Sequence, residues 1–213
     1  MTATKPGPEL IDPTGTTSGH VLTSTGGSTA PTFQAGGGGW EFVQTISADA
    51  QTNIDLGTSN IDSGYDYMIH CRNVDNSADL SWANSPRLQF GTGGTPTYQT
   101  ATYTNQYVNF RGNAVTAARD PFTSGVQIAA GNNIGGAGAG ETWEAEIIIS
   151  DPATSAEHWC WAHHVSEDDS GLIQTSFCGG KRSVAETITG FRIKPGTGTF
   201  ITGDFTLYKR ANA

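Results

Sequence analysis

Lysine is almost missing from this 213-residue chain: there are four, and none lies between Lys5 and Lys181. Lysine and arginine together number 11 against 20 acidic residues, a net charge of −9. The few cations are scattered, so the basic patch that tracks a phosphate backbone is absent and no nucleic-acid partner is expected. Charged residues make up only 15 % of the chain, against about 25 % in an average soluble domain. Cysteine is equally scarce. Cys71, Cys160 and Cys178 are too few, and odd in number, for a disulfide framework, and they suit folding in a reducing compartment. No apolar run approaches the roughly 18 residues of a membrane span. No basic and then apolar stretch follows Met1, so neither a membrane span nor a secretory signal peptide is expected.

What the chain has instead is glycine, 28 residues, and threonine, 29 residues. That balance is poor for surface helices and good for strands and turns. Residues 1–39 stand apart. They carry one cation, Lys5, two acids, Glu9 and Asp12, and no Trp or Tyr. Pro6, Pro8, Pro13 and Pro31 rule out a helix there. Their large apolar side chains are limited to Leu10, Ile11, Val21, Leu22 and Phe33, too few to offset the entropy of ordering the segment. It is expected to be a loose tail or an extended arm ordered by other chains. Gly36 to Gly39 read as a flexible joint spanning about 11 Å, and Trp40 opens a second composition that runs to the C-terminus.

From Trp40 onward the two-residue period of half-buried strands recurs. Tyr65, Tyr67, Ile69 and Cys71 alternate with polar residues, as do Trp143, Ala145, Ile147 and Ile149. Trp159, Trp161, His163 and Val165 form a third such set. Shorter candidates are Trp40–Ile46, Asn53–Leu56, Arg87–Phe90, Tyr98–Phe110, Val126–Ala129, Leu172–Phe177, Ile188–Ile193 and Gly203–Tyr208. Turn chemistry separates them at Gly91–Gly94, Gly135–Gly140, Gly179–Gly180 and Pro195–Gly198. No helical stripe of 12 residues appears. The pattern predicts an all-β fold, an antiparallel two-sheet β-sandwich of jelly-roll type with eight to eleven strands, preceded by the arm. A parallel β-helix would need a fixed coil repeat, and none is present.

The residue types capable of chemistry give little to catalysis. On a strand, His158, Cys160 and His164 share one face and Trp159, Trp161 and His163 the other. His158 and His164 would then lie about 20 Å apart, too far to share one ion, and Cys-x-x-Cys spacing is absent. The cysteines are read as core, the Trp159–Trp161 pair as core rather than binding surface, and no metal or cofactor is expected. Glu167-Asp168-Asp169, helped by Ser166 and Ser170, could offer oxygens to Ca²⁺, but reads first as a solvated turn. No Gly-x-Ser-x-Gly elbow exists, and Glu144 and Glu146 read as solubilising charges rather than a hydrolytic pair. No enzymatic activity is expected. Tyr98, Tyr103 and Tyr107, interleaved with Asn105, Gln106 and Asn109, are candidate glycan-facing residues, with a plain exposed strand as the other reading.

The most specific string is Gly15-Thr16-Thr17-Ser18-Gly19-His20-Val21-Leu22-Thr23-Ser24-Thr25-Gly26-Gly27, followed by Ala30-Pro31-Thr32-Phe33-Gln34. It resembles a short motif of tail-fibre and other virion-appendage proteins of tailed bacteriophages, in which the final aromatic is often Trp. The segments Ile188–Ile193, Gly203–Tyr208 and Glu144–Pro152 are more weakly similar to strands of the β-sandwich modules in that family. The resemblance implies a virion protein made in the host cytoplasm, a homotrimer with an N-terminal attachment arm and a globular knob. Other virion proteins would be bound through residues 1–39 and a host surface glycan by the knob. A tail fibre or receptor-binding appendage and a capsid decoration protein or head fibre are both open. A polysaccharide-degrading virion enzyme is a further alternative. The arm residues singled out are Val21, Leu22, Pro31 and Phe33. They would form a small hairpin, marginal alone in water, whose apolar side chains three copies could shelter around an axis.

Overall fold

A computed structural model describes residues 20–23, 32–35, 39–58, 61–81, 84–120, 123–131, 134 and 141–212. The chain divides into two compact units, Met1–Gly39 and Trp40–Ala213. In the first, strand β1 (His20–Thr23) pairs antiparallel with β2 (Thr32–Ala35), with Leu22 opposite Phe33 and Val21 opposite Gln34. The side chains of Val21, Leu22 and Phe33, and Pro31 as a whole, lie outside the described residues.

The second unit contains β3 (Glu41–Ser47), β4 (Ile54–Leu56), β5 (Tyr65–Asn76), β6 (Arg87–Thr92), β7 (Thr97–Tyr98), β8 (Tyr103–Arg111) and β9 (Ala114–Asp120). It continues with β10 (Val126–Gln127), β11 (Trp143–Ile149), β12 (Ala156–Glu167), β13 (Ile173–Glu186), β14 (Ile188–Lys194) and β15 (Phe200–Ala211). Eight strands form one sheet in the order β3-β15-β5-β11-β12-β13-β8-β9, and β10-β6-β14-β4 with β7 on β6 form the other. Every pairing is antiparallel. The chain passes repeatedly from one sheet to the other, so consecutive segments face each other across the core. This is the all-β two-sheet sandwich that the alternating pattern predicts. Among the described residues no helix is long and apolar enough to cross a membrane.

The core lies between the sheets. Phe90 and Phe191 of the smaller sheet meet Tyr67 and Tyr103 of the larger, with ring centroids 5.7 Å apart for Tyr67–Phe191 and 6.0 Å for Phe90–Tyr103. Trp143, Phe200 and Phe205 fill the far end, Phe200 and Phe205 being 5.1 Å apart. The buried phenols are satisfied: Tyr103 Oη accepts the Phe90 amide at 2.8 Å, and Tyr67 Oη accepts that of Asp62 at 2.7 Å. A tight turn closes β12 on β13. Asp168 accepts the amides of Ser170 and Leu172 at 2.9 and 3.0 Å and the Arg111 guanidinium. Burial pushes its carboxyl up, but these donors outweigh it and hold the pKa below the ordinary value.

Three differences from the sequence pattern have physical causes. Strands are more numerous than eight to eleven, because β7 and β10 are two-residue ladders too short for any periodicity to register. Strand β9 is an edge strand exposed along its length, so it lacks a buried alternate row. Gly179–Gly180, expected to be a turn, lies inside β13, where Gly179 pairs with Trp161 and Gly180 with Cys160. The Gly135–Gly140 run lies outside the described residues.

Replacing fully buried Phe191 with Ala should cost about 3–5 kcal/mol. Phe42, 65 % exposed, should lose no more than about 1 kcal/mol on the same change. Urea unfolding of the full chain, followed by tryptophan fluorescence, reads both values.

Candidate functional site

An extended strand gives alternate side chains to opposite faces, and β12 follows this rule from His158 to Glu167. His158, Cys160, Ala162, His164 and Ser166 face the core, while Trp159, Trp161, His163 and Val165 face out. The division into two faces is the expected one, but the tryptophans do not enter the core. Trp159 is 60 % and Trp161 48 % exposed, because the core-facing row consists of the smaller Cys160 and Ala162, which fit beneath the opposite sheet.

The inward row is polar at one end. His164 Nδ1 lies 3.1 Å from Ser176 Oγ, and Ser176 Oγ accepts the Ala130 amide at 3.0 Å. Burial, with a smaller contribution from the neighbouring His163 charge, pushes the His164 pKa from 6.5 down to about 3. His158 donates through Nε2 to the Glu186 carbonyl. The three cysteines are buried and free, and burial raises the pKa of Cys71 and Cys160, so neither thiol is ionised at neutral pH.

On the outward face the register sets side chains in rows across the strands. One row runs Met68, Ile148, Trp161, Gly179, Gln106, Arg119. The next carries Glu146, His163, Phe177 and Val108, and a third carries Trp159, Lys181 and Thr104. At the centre of the first row Gly179 supplies no side chain, and a Cβ placed there would meet nothing within 4 Å. The result is an open groove of about 850 Å³ lined by Trp159, Trp161, Phe177, Ile148, Gln106, Arg119, Thr104 and Lys181. Its walls are fixed by local contacts. The His163 and Phe177 rings stack at 4.6 Å and 10°. Thr175 Oγ1 donates to the His164 carbonyl at 2.9 Å, so its lone pair receives His163 Nε2–H at 3.0 Å. Lys181 Nζ sits 4.9 Å from the Trp159 ring centroid and 2.6 Å from Glu157.

The chemistry of this lining is that of a binding surface. Exposed aromatic faces can stack against an apolar face of a ligand, and amide, hydroxyl and cationic donors stand beside them. No carboxylate is among the lining residues, so the groove holds no acid pair of the kind that hydrolyses glycosidic bonds.

Of the tyrosines singled out from sequence, Tyr107 borders this groove and the other two lie elsewhere. Tyr103 is 1 % exposed, and its inward ring cannot face a sugar. Tyr107 is half-buried, packing against the core while bordering the groove. Tyr98 borders a smaller depression of about 360 Å³ with Asp55 and Arg192. The Arg192 guanidinium lies 4.0 Å from its ring centroid and is held by Asp55 at 2.6 and 2.7 Å. Burial first, then the Asp55 charge, raises the Tyr98 phenol to about 12 despite Arg192. The acidic run is also split. Asp168 is committed to its turn, whereas Asp169 converges with Asp79 and Glu141, with ligand oxygens within 4.8 Å of one another. These are the described residues that could share a cation. The sequence signal for the groove was the Trp159–Trp161 alternation itself. Gln106, Phe177, Gly179 and Lys181 carry no local motif, and only strand register brings them together.

Comparison with protein-family models, with curated proteins and with solved structures gives no match.

Two outcomes follow from this geometry. The unfolded chain protonates His164 near pH 6.5 while the folded chain resists until about pH 3. Stability should therefore fall through that window as pH drops, with a slope approaching about 1.4 kcal/mol per pH unit, and His164→Gln should flatten the slope in urea titrations at stepped pH. Gly179→Val should leave stability within about 1 kcal/mol while filling the groove. Gly180→Val should destabilise by about 1–3 kcal/mol, because its Cβ would lie 2.7 Å from the Thr104 carbonyl oxygen. The same denaturation assay compares the pair.

Proposed function

We propose that this chain is a structural protein of a tailed-bacteriophage virion, a homotrimeric appendage held to the particle through residues 1–39 and binding a host-surface glycan through the groove over Gly179. One architectural observation carries the reading. A separate unit of 39 residues, which holds the string resembling appendage attachment motifs and the β1–β2 pair, precedes a sandwich that places two tryptophans, Trp159 and Trp161, in an outer groove. Aromatic residues buried in a core contribute stability, whereas Trp159 and Trp161 give up much of that contribution to stay exposed. Such exposure is explained by a ligand whose faces they cover.

The mechanism is multiplication of weak contacts. A shallow groove open to solvent supplies modest affinity per site. Three grooves on one trimer, and many trimers on one particle, raise the effective concentration so that attachment becomes stable without any strong single contact. The net charge of −9 limits adhesion to other acidic particles. Tail and capsid positions differ in what they need: a long tail fibre needs a shaft, and here the first unit ends at Gly39 with β3 starting at Glu41. That immediate junction favours a short ornament, on the tail or as a capsid decoration.

The test is assembly. Full-length protein should co-sediment with particles and label them in immuno-electron microscopy. A chain lacking residues 1–39 should remain folded and soluble but fail to join them. Normal incorporation of the shortened chain sinks the attachment role, and label on capsid faces assigns the decoration position.

A further inference from the structure

We infer that the groove selects acidic glycans, with Arg119 receiving a carboxylate of the sugar while Trp161 receives the face of a neighbouring ring. This rests on the glycan-binding reading above and names the class of glycan. Charge points to it first. The chain carries 20 acidic side chains, yet the groove lining has two cations, Arg119 and Lys181, and no carboxylate. In a protein of net charge −9, a positive groove attracts anions that the remaining surface repels.

The two cations are not equivalent. Lys181 is held by Glu157 at 2.6 Å and lies over the Trp159 ring, so its charge is partly answered and it shields that indole. Arg119 is exposed and enters none of the ion pairs among the described residues. A guanidinium with its donor fork open is suited to bidentate capture of a carboxylate.

Spacing agrees with this. Trp161 on β12 and Arg119 on β9 share one row, three strand spacings or about 14 Å apart. The bare Gly179 and the amide of Gln106 lie between them. That distance fits a short oligosaccharide lying across the strands. One pyranose would place its axial C–H groups on the electron-rich face of Trp161, its hydroxyls would meet Gln106, and the acidic residue would end at Arg119.

The experiment is an array of oligosaccharides in matched pairs, in which hexuronate-, sialate- and pyruvylated-hexose-containing chains are each printed beside their methyl esters and probed with the full-length protein. The acid of at least one pair should be retained at least about tenfold better than its ester at low ionic strength, and the margin should shrink as salt is added. Arg119→Gln should erase the margin, the acid falling to the level of its ester. Trp161→Ala should lower binding to both members, with an unchanged circular dichroism spectrum showing that the fold persists. Equal retention of acids and esters, or a margin that survives Arg119→Gln, overturns the acidic selection and leaves glycan binding intact. Retention of no member of any pair overturns glycan binding itself.

Discussion

Extended backbone permits no compromise about which way a side chain points: neighbours must leave on opposite sides of the sheet. Along β12 that constraint separates a small, buried set, Cys160 and Ala162, from a large, exposed set, Trp159 and Trp161. The buried set must be small because Phe90, Phe191 and Tyr103 already fill the space beneath. A slip of one residue would drive two indoles into a filled core and put His158 and His164 into water. The apolar layer therefore locks the register of β12 against β11 and β13, and that register lines up Trp161, Gly179, Gln106 and Arg119 across four strands. The outer groove is a by-product of inner packing.

How far the sequence discloses this depends on the range of the information. The sandwich is legible because its period-two rows are long: β11, β12 and the Tyr65–Cys71 half of β5 alternate without a break, and their inward residues are buried. The division of β12 into His158/Cys160/His164 and Trp159/Trp161/His163 is legible for the same reason. Which side is the core is not, since tryptophan ordinarily belongs inside and nothing within β12 reports the volume already taken by Phe90 and Phe191. Tyr103 misleads in the opposite sense. It reads as part of a polar-aromatic ribbon, yet its ring packs against Phe90 of the opposite sheet, a contact that no pattern within β8 reports. Glycine is the most ambiguous signal. Gly179–Gly180 looks like a turn, and only the close approach of Asn105, Thr104 and Val126 over Gly180 shows why a strand needs a residue without a side chain there.

Groove and core also differ in how they would respond to mutation. Substitutions in the inward rows act through cavities and unpaired polar groups, and are felt throughout a close-packed interior. The outward row over Gly179 tolerates volume, so side chains can change there at little expense to the fold.

The distribution of the cations has one further consequence. From Trp40 onward every lysine and arginine falls within a strand: Arg72, Arg87, Arg111, Arg119, Lys181, Arg182, Arg192, Lys194, Lys209 and Arg210. A trypsin-like protease must thread several residues of loosened chain through its cleft, and loops are where such chain is offered. In this unit the loops hold no basic residue to cut after. Digestion must then await strand opening and draws on the stability of the whole sandwich.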